Sequence, residues 1–374
     1  MHFETLTVHA GSEPREGTRD VAPPIHLATT FEHGPAAEPI GGHIYIRESN
    51  PNEVRLCQAL AAVEGGREAL VFGSGLAAGA AYLQAMPAGS HVVFPDDMYY
   101  GFRAIARDFL PRWGMSSTEL DMADLDAVRA AMRPETKLIW AETPSNPLMK
   151  VVDLAALSEI AHRAGARFAV DGTFATPALQ RPLDLGADAV MHATTKYLGG
   201  HSDVQGGALV FARRGELSEQ VDHVRHLLGA VASPFNSWLV LRGLRSLACR
   251  MAAQSAGALA VARALAGWPE LSAVHYPGLP THPGHEVAER QMSAFGAVLS
   301  LQVRGGREAA VAAVGRARLF TRATSLGGVE SLIEHRATSE GPQSRTPQDL
   351  IRLSIGLEHP DDLIADLEQA LRGA

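Results

Sequence analysis

The sequence predicts an α/β protein with a mostly parallel, doubly wound sheet in a large domain, a smaller α+β C-terminal domain and an extended N-terminal arm. Short apolar segments, bounded by turn or charged residues, alternate with helical segments over much of the chain. Parallel strands have this pattern because helices cover both faces of their sheet. The order of elements then becomes mixed beyond Trp268, and the first fifty residues have little periodicity.

The arm is predicted to span residues 1–50. It contains Pro23-Pro24, Gly34-Pro35 and Gly41-Gly42, which are turn and loop signals. An ordered stretch of this length needs a surface to lie on, and in a homo-oligomer a neighbouring subunit often provides one. We therefore expect the arm to contact a partner subunit.

The large domain is predicted to span residues 51–240. Its first helix, Glu53 to Val63, has apolar residues on one face, and an Ala-rich helix begins near Leu76. Further helices are expected at 124–132 and 154–164. The predicted buried parallel strands are His91–Phe94, Leu138–Trp140, Phe168–Val170, Ala189–Met191 and Ala208–Phe211.

The small domain is predicted to span residues 241–374, and one or two long helices within 236–266 would link it to the large domain. Apolar patterns predict strands at 297–303 and 351–355 and a helix near 308–317. A final helix is expected to begin at Pro360, since proline is favoured in the first turn of a helix.

Composition excludes several classes of protein. The 374 residues include 33 Lys and Arg against 41 Asp and Glu, and there is no basic block, so neither nucleic acid nor a membrane is an expected partner. The two cysteines, Cys57 and Cys249, form no CxxC pair, and we expect no metal and no disulfide framework. With no signal-peptide pattern and no long apolar run, the sequence predicts a cytoplasmic enzyme.

Three features that carry chemistry follow predicted strands in order. Asp171 follows Phe168–Val170, Lys196 follows Ala189–Met191, and the turn Gly73-Ser74-Gly75 opens a helix. In open α/β sheets the ligand crevice lies at the carboxyl ends of the strands, and a helix N-terminus there attracts phosphate. A lysine amine, a carboxylate and a phosphate site together suit pyridoxal 5'-phosphate. Each feature alone is more often a turn, a helix cap or a surface group.

Motifs along the whole chain resemble those of one family. The segment from His192 to Val204 resembles the cofactor-lysine signature of the Cys/Met-metabolism (trans-sulfuration) enzymes, which include cystathionine γ-synthase, γ-lyase and β-lyase and methionine γ-lyase. The other matching segments are 23–25, 29–31, 45–47, 50–51, 75–78, 97–99, 142–147, 171–174, 176–177, 325–332 and 352–358. The resemblance implies fold-type I of the pyridoxal phosphate enzymes and a cytoplasmic homo-oligomer. Two subunits would share their active sites in a dimer, and two such dimers would form a tetramer.

The resemblance also implies a role for each matching residue. Lys196 would bind the cofactor covalently and then move protons on the substrate, and Ser325 would orient it. Arg352 would bind the α-carboxylate of the substrate, and Asn146 would approach the substrate and the ring hydroxyl of the cofactor. The remaining contacts to the cofactor would come from Asp171 at the ring nitrogen, Gly75, Leu76 and Thr195 at the phosphate, Tyr99 on the ring, and Tyr45 and Arg47 from the partner subunit.

Some positions depart from the family pattern. Ala193 stands where a phosphate-binding serine is usual, and Tyr100 and Gly101 replace the expected residues after Tyr99. Ile44 and Thr324 stand where many relatives have glutamates that face the distal amino group of cystathionine. Arg336 replaces the usual proline near the expected mouth of the site. Two interpretations stay open: it contacts a distal carboxylate of the substrate, or it is a surface arginine.

The resemblance implies a carbon–sulfur lyase, and the leading prediction is γ-elimination of L-cystathionine to cysteine, 2-oxobutanoate and ammonia. The alternative is cystathionine γ-synthase, which joins cysteine to an acylated homoserine through the same early steps. A β-lyase and a methionine γ-lyase are less favoured, because their typical residues are missing. A nicotinamide dehydrogenase is disfavoured, since no GxGxxG follows the first strand.

Overall fold

The computed structural model describes residues 1–12 and 19–373, and its architecture is α/β as predicted. A seven-stranded sheet has the strand order β1-β7-β6-β5-β4-β2-β3. Its strands are β1 (Glu68–Phe72), β2 (His91–Pro95), β3 (Ser116–Leu120), β4 (Thr136–Glu142), β5 (Arg167–Asp171), β6 (Ala189–His192) and β7 (Gly207–Phe211). Strands β2 to β6 are parallel, and every residue of β2, β6 and β7 is buried.

One strand runs against the predicted direction. The segment 208–211 was expected to be parallel to its neighbours, but β7 pairs antiparallel with both β6 and β1. The apolar run alone cannot report direction, because any strand that is buried on both faces has the same composition. Lys196 lies in the connection from β6 to β7, at the edge of the sheet where β5 and β6 have their carboxyl ends.

A five-stranded sheet forms the centre of the C-terminal part, with the order β10-β11-β12-β9-β8. Its strands are β8 (Leu271–His275), β9 (Val298–Val303), β10 (Thr321–Arg322), β11 (Leu332–His335) and β12 (Leu350–Ser354). All pairs are antiparallel except β10 with β11. In the register of β11 and β12, Glu334 lies opposite Arg352, which brings these two charged residues into one cluster.

Helices pack against the strands of both sheets. In chain order they are α1 (Phe3–His9), α2 (Pro51–Glu64), α3 (Gly75–Gln84), α4 (Tyr100–Asp108), α5 (Leu125–Ala131), α6 (Leu154–Arg163), α7 (Thr176–Leu179), α8 (Glu216–Leu228), α9 (Pro234–Leu244), α10 (Leu247–Leu265), α11 (His285–Gln291), α12 (Gly306–Arg316), α13 (Arg336–Glu340) and α14 (Pro360–Arg372). Among the helices of the described residues, none has the length and apolar character that a bilayer span requires.

In its described residues, 1–12 and 19–50, the predicted arm contains one helix and is otherwise irregular. Helix α1 contacts α2 and α10, and residues 19–50 contain bends, turns and isolated bridges. Several apolar side chains of this segment are exposed in the single chain, among them Val21, Leu27 and Ile40. The arm's contact with a partner and the domain boundaries at 50 and 240 stay predictions.

The loop that carries Lys196 is fixed by tight packing against α9. A Cβ atom at Gly243 would overlap the carbonyl oxygens of Leu198 and Gly199, so only glycine allows this approach. Arg250 of α10 adds a hydrogen bond from Nη1 to the carbonyl oxygen of Tyr197 at 2.8 Å. Two helices thus hold the backbone next to Lys196.

We therefore expect Gly243→Ala to lower the free energy of unfolding by about 1–3 kcal/mol, because backbone must move to admit the methyl group. Urea unfolding of the purified protein measures the effect. The matched control is Gly315→Ala, which lies in α12 with open space around the added methyl group. That change should raise stability by about 0.5–1 kcal/mol. A Gly243→Ala variant as stable as the control variant would contradict this packing.

Candidate active site

A cavity of about 330 Å³ lies where the carboxyl ends of the large-sheet strands face the small sheet. Residues from both sheets line it, together with the N-terminal turn of α3. The lining residues for which the sequence predicts a role are Gly75, Leu76, Tyr99, Asn146, Asp171, Thr195, Lys196, Ser325 and Arg352. Nine of the predicted residues are therefore brought to one place, although they are spread over most of the chain.

Lys196 presents its amine to the cavity. Its Nζ donates a hydrogen bond to Ser325 Oγ at 2.7 Å. Burial lowers the pKa of Lys196 to about 8, and the positive charges of Arg352 and Arg336 add to the effect. With this pKa roughly a tenth of the amine is neutral at pH 7, and this fraction, which is able to act as a nucleophile or base, increases as the pH approaches 8.

Ser325 has an unusual backbone conformation and accepts two hydrogen bonds. Its φ of 88° is in the left-handed region, which costs a residue other than glycine about 1–3 kcal/mol. In this conformation Oγ accepts from Lys196 while the carbonyl oxygen accepts from Arg352 Nη2 at 3.0 Å. The neighbouring Gly327 is anchored by a hydrogen bond from its amide to Ser354 Oγ at 3.0 Å. The strained residue therefore joins the amine to the guanidinium.

Arg352 is buried and held on three sides. Its Nη1 donates to Asn146 Oδ1 at 2.9 Å, and its Nη2 donates to Glu334 Oε2 at 2.6 Å as well as to the carbonyl of Ser325. Burial and the charge of Arg336 lower its pKa to about 10, so it stays protonated at neutral pH. A fixed guanidinium in a cavity wall suits a carboxylate ligand.

Two buried carboxylates face the cavity from adjacent strands. Asp171 ends β5 and Glu142 ends β4, and the two are paired in the register. Burial raises the pKa of both groups, and the charge of Asp171 raises that of Glu142 further. Within residues 1–12 and 19–373 neither forms a salt bridge, so a protonated ring nitrogen in the cavity would supply the positive charge that favours the ionised form of a carboxylate.

The first turn of α3 offers backbone donors. Ser74 accepts from Ala77 N through its side chain and from Ala78 N through its carbonyl oxygen, which leaves the amides of Gly75 and Leu76 at the cavity wall. Such a helix N-terminus favours a phosphate group. Thr195 lies on the same wall, with its hydroxyl donating to the carbonyl of Gly206 at 3.2 Å.

Tyr99 lies beside these groups at the start of α4. Its amide donates to Glu142 Oε2 at 2.8 Å, and its ring meets that of Tyr100 edge to face at 4.8 Å. Burial, with a smaller effect of Tyr100, raises the pKa of Tyr99 to about 12. Its hydroxyl is therefore protonated at neutral pH and able to donate a hydrogen bond.

Tyr45 and Arg47 do not line the cavity of their own chain. Arg47 Nη1 donates to the carbonyl oxygen of His226 at 3.2 Å, and its guanidinium lies over the ring of Tyr45 at 5.6 Å. Tyr45 is partly exposed. Their predicted contact with a partner's cofactor stays a prediction.

Three other cavity residues bear on the family departures. Thr324 and Ala193 both line the cavity, and Ala193 offers no hydroxyl. Arg336 is buried and lines the cavity too, so the surface alternative for this residue is wrong. It is buried because α13 begins at Arg336 and directs its side chain against the ring of Tyr100, with the guanidinium 5.5 Å from the ring centroid.

Glu142 and Glu334 have no predicted role from sequence. The small number of lysines in the chain is a further signal that points to Lys196. Glu142 ends its strand just as Asp171 ends the next one, so the same reasoning from strand ends could have found it. Glu334 depends on strand register, which the sequence does not show. The chain contains only three lysines. Apart from Lys196 they are Lys137, which is exposed, and Lys150, which forms salt bridges with Asp96 and Asp121.

Comparison with known proteins agrees with this geometry. The model of a family described as "Cys/Met metabolism PLP-dependent enzyme" matches residues 4–372. The chain belongs to this family. Its enzymes depend on pyridoxal phosphate, and the cavity fits that cofactor through an amine of lowered pKa, open amides for the phosphate and two carboxylates for the ring nitrogen.

Relatives in the family have names for different reactions. Cystathionine gamma-synthase of Mycobacterium tuberculosis (strain ATCC 25618 / H37Rv) is 49% identical over 374 residues, covering 98% of this chain and 96% of that protein. Cystathionine gamma-lyase of Bacillus subtilis (strain 168) is 41% identical over 379 residues, covering 99% of each. The crystal structure of metB from Corynebacterium glutamicum superposes with a TM-score of 0.97 at 41% identity, covering 100% of this chain and 98% of that one.

The lowered pKa of Lys196 predicts how its reactivity changes with pH. In cofactor-free protein, acylation of Lys196 should rise about tenfold per pH unit up to about pH 8 and then level off, because only the neutral amine reacts. Pulse labelling followed by peptide mass spectrometry measures the rate, with exposed Lys137 as the internal reference. A rate that still rises tenfold per unit above about pH 9, as for an ordinary lysine, would contradict the lowered value.

Proposed function

We propose that this protein exchanges or removes the substituent at Cγ of an amino acid in sulfur metabolism, with pyridoxal phosphate as its cofactor. The observation that carries the proposal is the contact between Lys196 Nζ and Ser325 Oγ at 2.7 Å, since the same Ser325 holds Arg352 through its carbonyl. A base and a carboxylate-binding group thus have a fixed separation, as proton transfer at Cα of a bound amino acid requires.

Each residue near the cavity has a definite task in this proposal. Arg352 binds the α-carboxylate of the substrate, and Asn146 keeps the guanidinium in place. Lys196 takes the proton from Cα and returns protons at later carbons, with Ser325 directing its amine. When bound, pyridoxal phosphate supplies an electron sink for the charge that develops at Cα. Tyr99 covers the ring of the cofactor, and its protonated hydroxyl assists proton transfer.

The remaining proposed contacts hold the cofactor. Asp171 keeps the ring nitrogen protonated, which also relieves the unfavourable burial of its own carboxylate. The amides of Gly75 and Leu76 and the hydroxyl of Thr195 bind the phosphate.

Tyr45 and Arg47 complete the phosphate site of the partner subunit, so the unit of function is a homodimer, and two dimers form a tetramer. This role is supported by their position outside the cavity of their own chain. We also propose that the enzyme acts in the cytoplasm, where its two free cysteines stay reduced.

Of the possible reactions we put replacement at Cγ first. The acyl group would leave Cγ of an acylated homoserine as a carboxylic acid, which breaks the Cγ–O bond, and the sulfur of cysteine would then form the Cγ–S bond of cystathionine. Support comes from the 49% identity to a protein named cystathionine gamma-synthase, against 41% to one named gamma-lyase. This order reverses the leading prediction from sequence. Elimination from cystathionine, with water consumed and cysteine, 2-oxobutanoate and ammonia formed, is the second candidate, supported by the gamma-lyase relative.

The direct test uses purified holoenzyme with two substrate sets. With O-succinyl-L-homoserine and cysteine we expect cystathionine, and with L-cystathionine alone we expect slower release of 2-oxobutanoate, both quantified by mass spectrometry. Lys196→Ala should remove both activities. Faster 2-oxobutanoate formation would exchange the two candidates. Pyruvate with homocysteine, or full activity in Lys196→Ala, would contradict the proposal.

The proposed role of Asp171 predicts a second result. Asp171→Asn keeps the shape and the hydrogen bond from Thr173 N but removes the charge, so we expect kcat to fall by about 100-fold. Steady-state kinetics at saturating pyridoxal phosphate measure the loss. The matched control is Asp184→Asn on the surface, which should leave kcat unchanged. A kcat for Asp171→Asn within about threefold of the native value would contradict the role.

A further inference from the structure

Arg336 has donors that its protein neighbours do not use. Its side chain is 3% exposed, yet within the described part of the chain its Nη2 has no hydrogen-bond partner. Its Nη1 donates to Glu334 Oε2 at 3.3 Å, and its Nε lies 3.1 Å from Glu340 Oε1. A guanidinium carries five N–H donors, and leaving one buried without a partner is unfavourable. The unused donor lies on a residue of the cavity wall.

The contacts of Arg336 place it between the α-carboxylate site and the more exposed part of the wall. On one side, Glu334 Oε2 binds both Arg336 and Arg352, so one carboxylate joins the two guanidiniums. On the other side, the guanidinium of Arg336 lies over the ring of Tyr100, which is 42% exposed. A substrate held at Arg352 would therefore pass Arg336 with the part of its side chain that extends toward Tyr100.

We propose that Arg336 binds a negatively charged group at the far end of the substrate side chain, such as the free carboxylate of a dicarboxylic acyl ester. The enzyme would therefore select substrates that carry a second anionic group. This inference deepens the proposed function, because it names the substrate class of the same site. It also assigns a task to a residue at which the chain departs from its family.

A purely structural role explains the surroundings of Arg336 less well. If this arginine served only to neutralise Glu334, it would be expected to occupy the free oxygen of that carboxylate, but Glu334 Oε1 has no hydrogen-bond partner in the described chain. Glu340 does not need both of its oxygens for Arg336 either, since Oε2 accepts from Ser344 Oγ at 2.7 Å and from Thr346 Oγ1 at 2.9 Å. An anionic ligand would satisfy the open donor.

Binding of two unreactive amino acids to the holoenzyme tests the proposal without turnover. L-2-aminoadipate carries a distal carboxylate, whereas L-norleucine has a similar chain without the charge. Isothermal titration calorimetry should show tighter binding of L-2-aminoadipate by about tenfold or more, as one charge-assisted contact provides. Arg336→Met should remove this preference and leave the affinity for L-norleucine within about threefold. Equal weakening of both ligands, or no preference in the native protein, would overturn the proposal.

A second variant covers the case in which Arg336→Met does not fold, because the single change leaves Glu340 without its cation. Arg336→Met combined with Glu340→Gln removes both charges and keeps acceptors for Ser344 and Thr346. This double variant should also lose the preference, and a retained preference would overturn the proposal. Arg129→Met, an exposed arginine outside the cavity, is the control for net charge and should retain the preference.

Turnover separates this inference from the proposed function. If both hold, the ratio of kcat/KM for O-succinyl-L-homoserine to that for O-acetyl-L-homoserine should fall about tenfold or more in the double variant. If neither ester reacts but L-2-aminoadipate still binds through Arg336, the proposed reaction fails and the anion site holds. If both esters react and the ratio is unchanged by the substitution, the anion site fails and the proposed reaction holds.

Discussion

One carboxylate, that of Glu334, sets the arrangement of the cavity. Its Oε2 accepts from Arg352 at 2.6 Å and from Arg336 at 3.3 Å, so two guanidiniums remain side by side away from solvent. Buried like charges repel unless an opposite charge lies between them. With Arg352 fixed, its remaining donors reach Asn146 and the carbonyl of Ser325, and Ser325 in turn directs Lys196. The small sheet therefore positions the reactive amine of the large sheet.

This arrangement gives the cavity two walls of opposite character. The wall from the small sheet carries Arg352 and Arg336, whose charges help to lower the pKa of Lys196. The wall from the large sheet carries Asp171 and Glu142, whose pKa values are raised by burial. In the proposed function an amino acid would place its carboxylate against the first wall, and a cofactor with a protonated ring nitrogen would lie against the second. The chemistry follows from placing Lys196 between them.

The sequence predicted those parts of the site that depend only on the order of residues along a strand and its following loop. Asp171 ends β5 and Lys196 lies in the loop after β6, so the topology of a parallel sheet brings them to one edge. The edge strand β3 was missed because Ser116–Leu120 is polar and only partly buried. The features that the sequence did not predict depend on which strands pair and in which register. The direction of β7 and the pairing of Glu334 with Arg352 depend on partners distant in sequence, and so does the burial of Arg336.

We expect Lys196 to be the residue that holds the cofactor, and because the whole chain has only three lysines this can be tested by mapping each of them. Holoenzyme would be reduced with borohydride, digested and mapped by mass spectrometry for the lysine that carries the pyridoxyl group. We expect the label on Lys196 at close to one per chain, and none on the same peptide when reduction precedes addition of the cofactor. A label on Lys137 or Lys150 instead, or no stable label on any lysine, would contradict it.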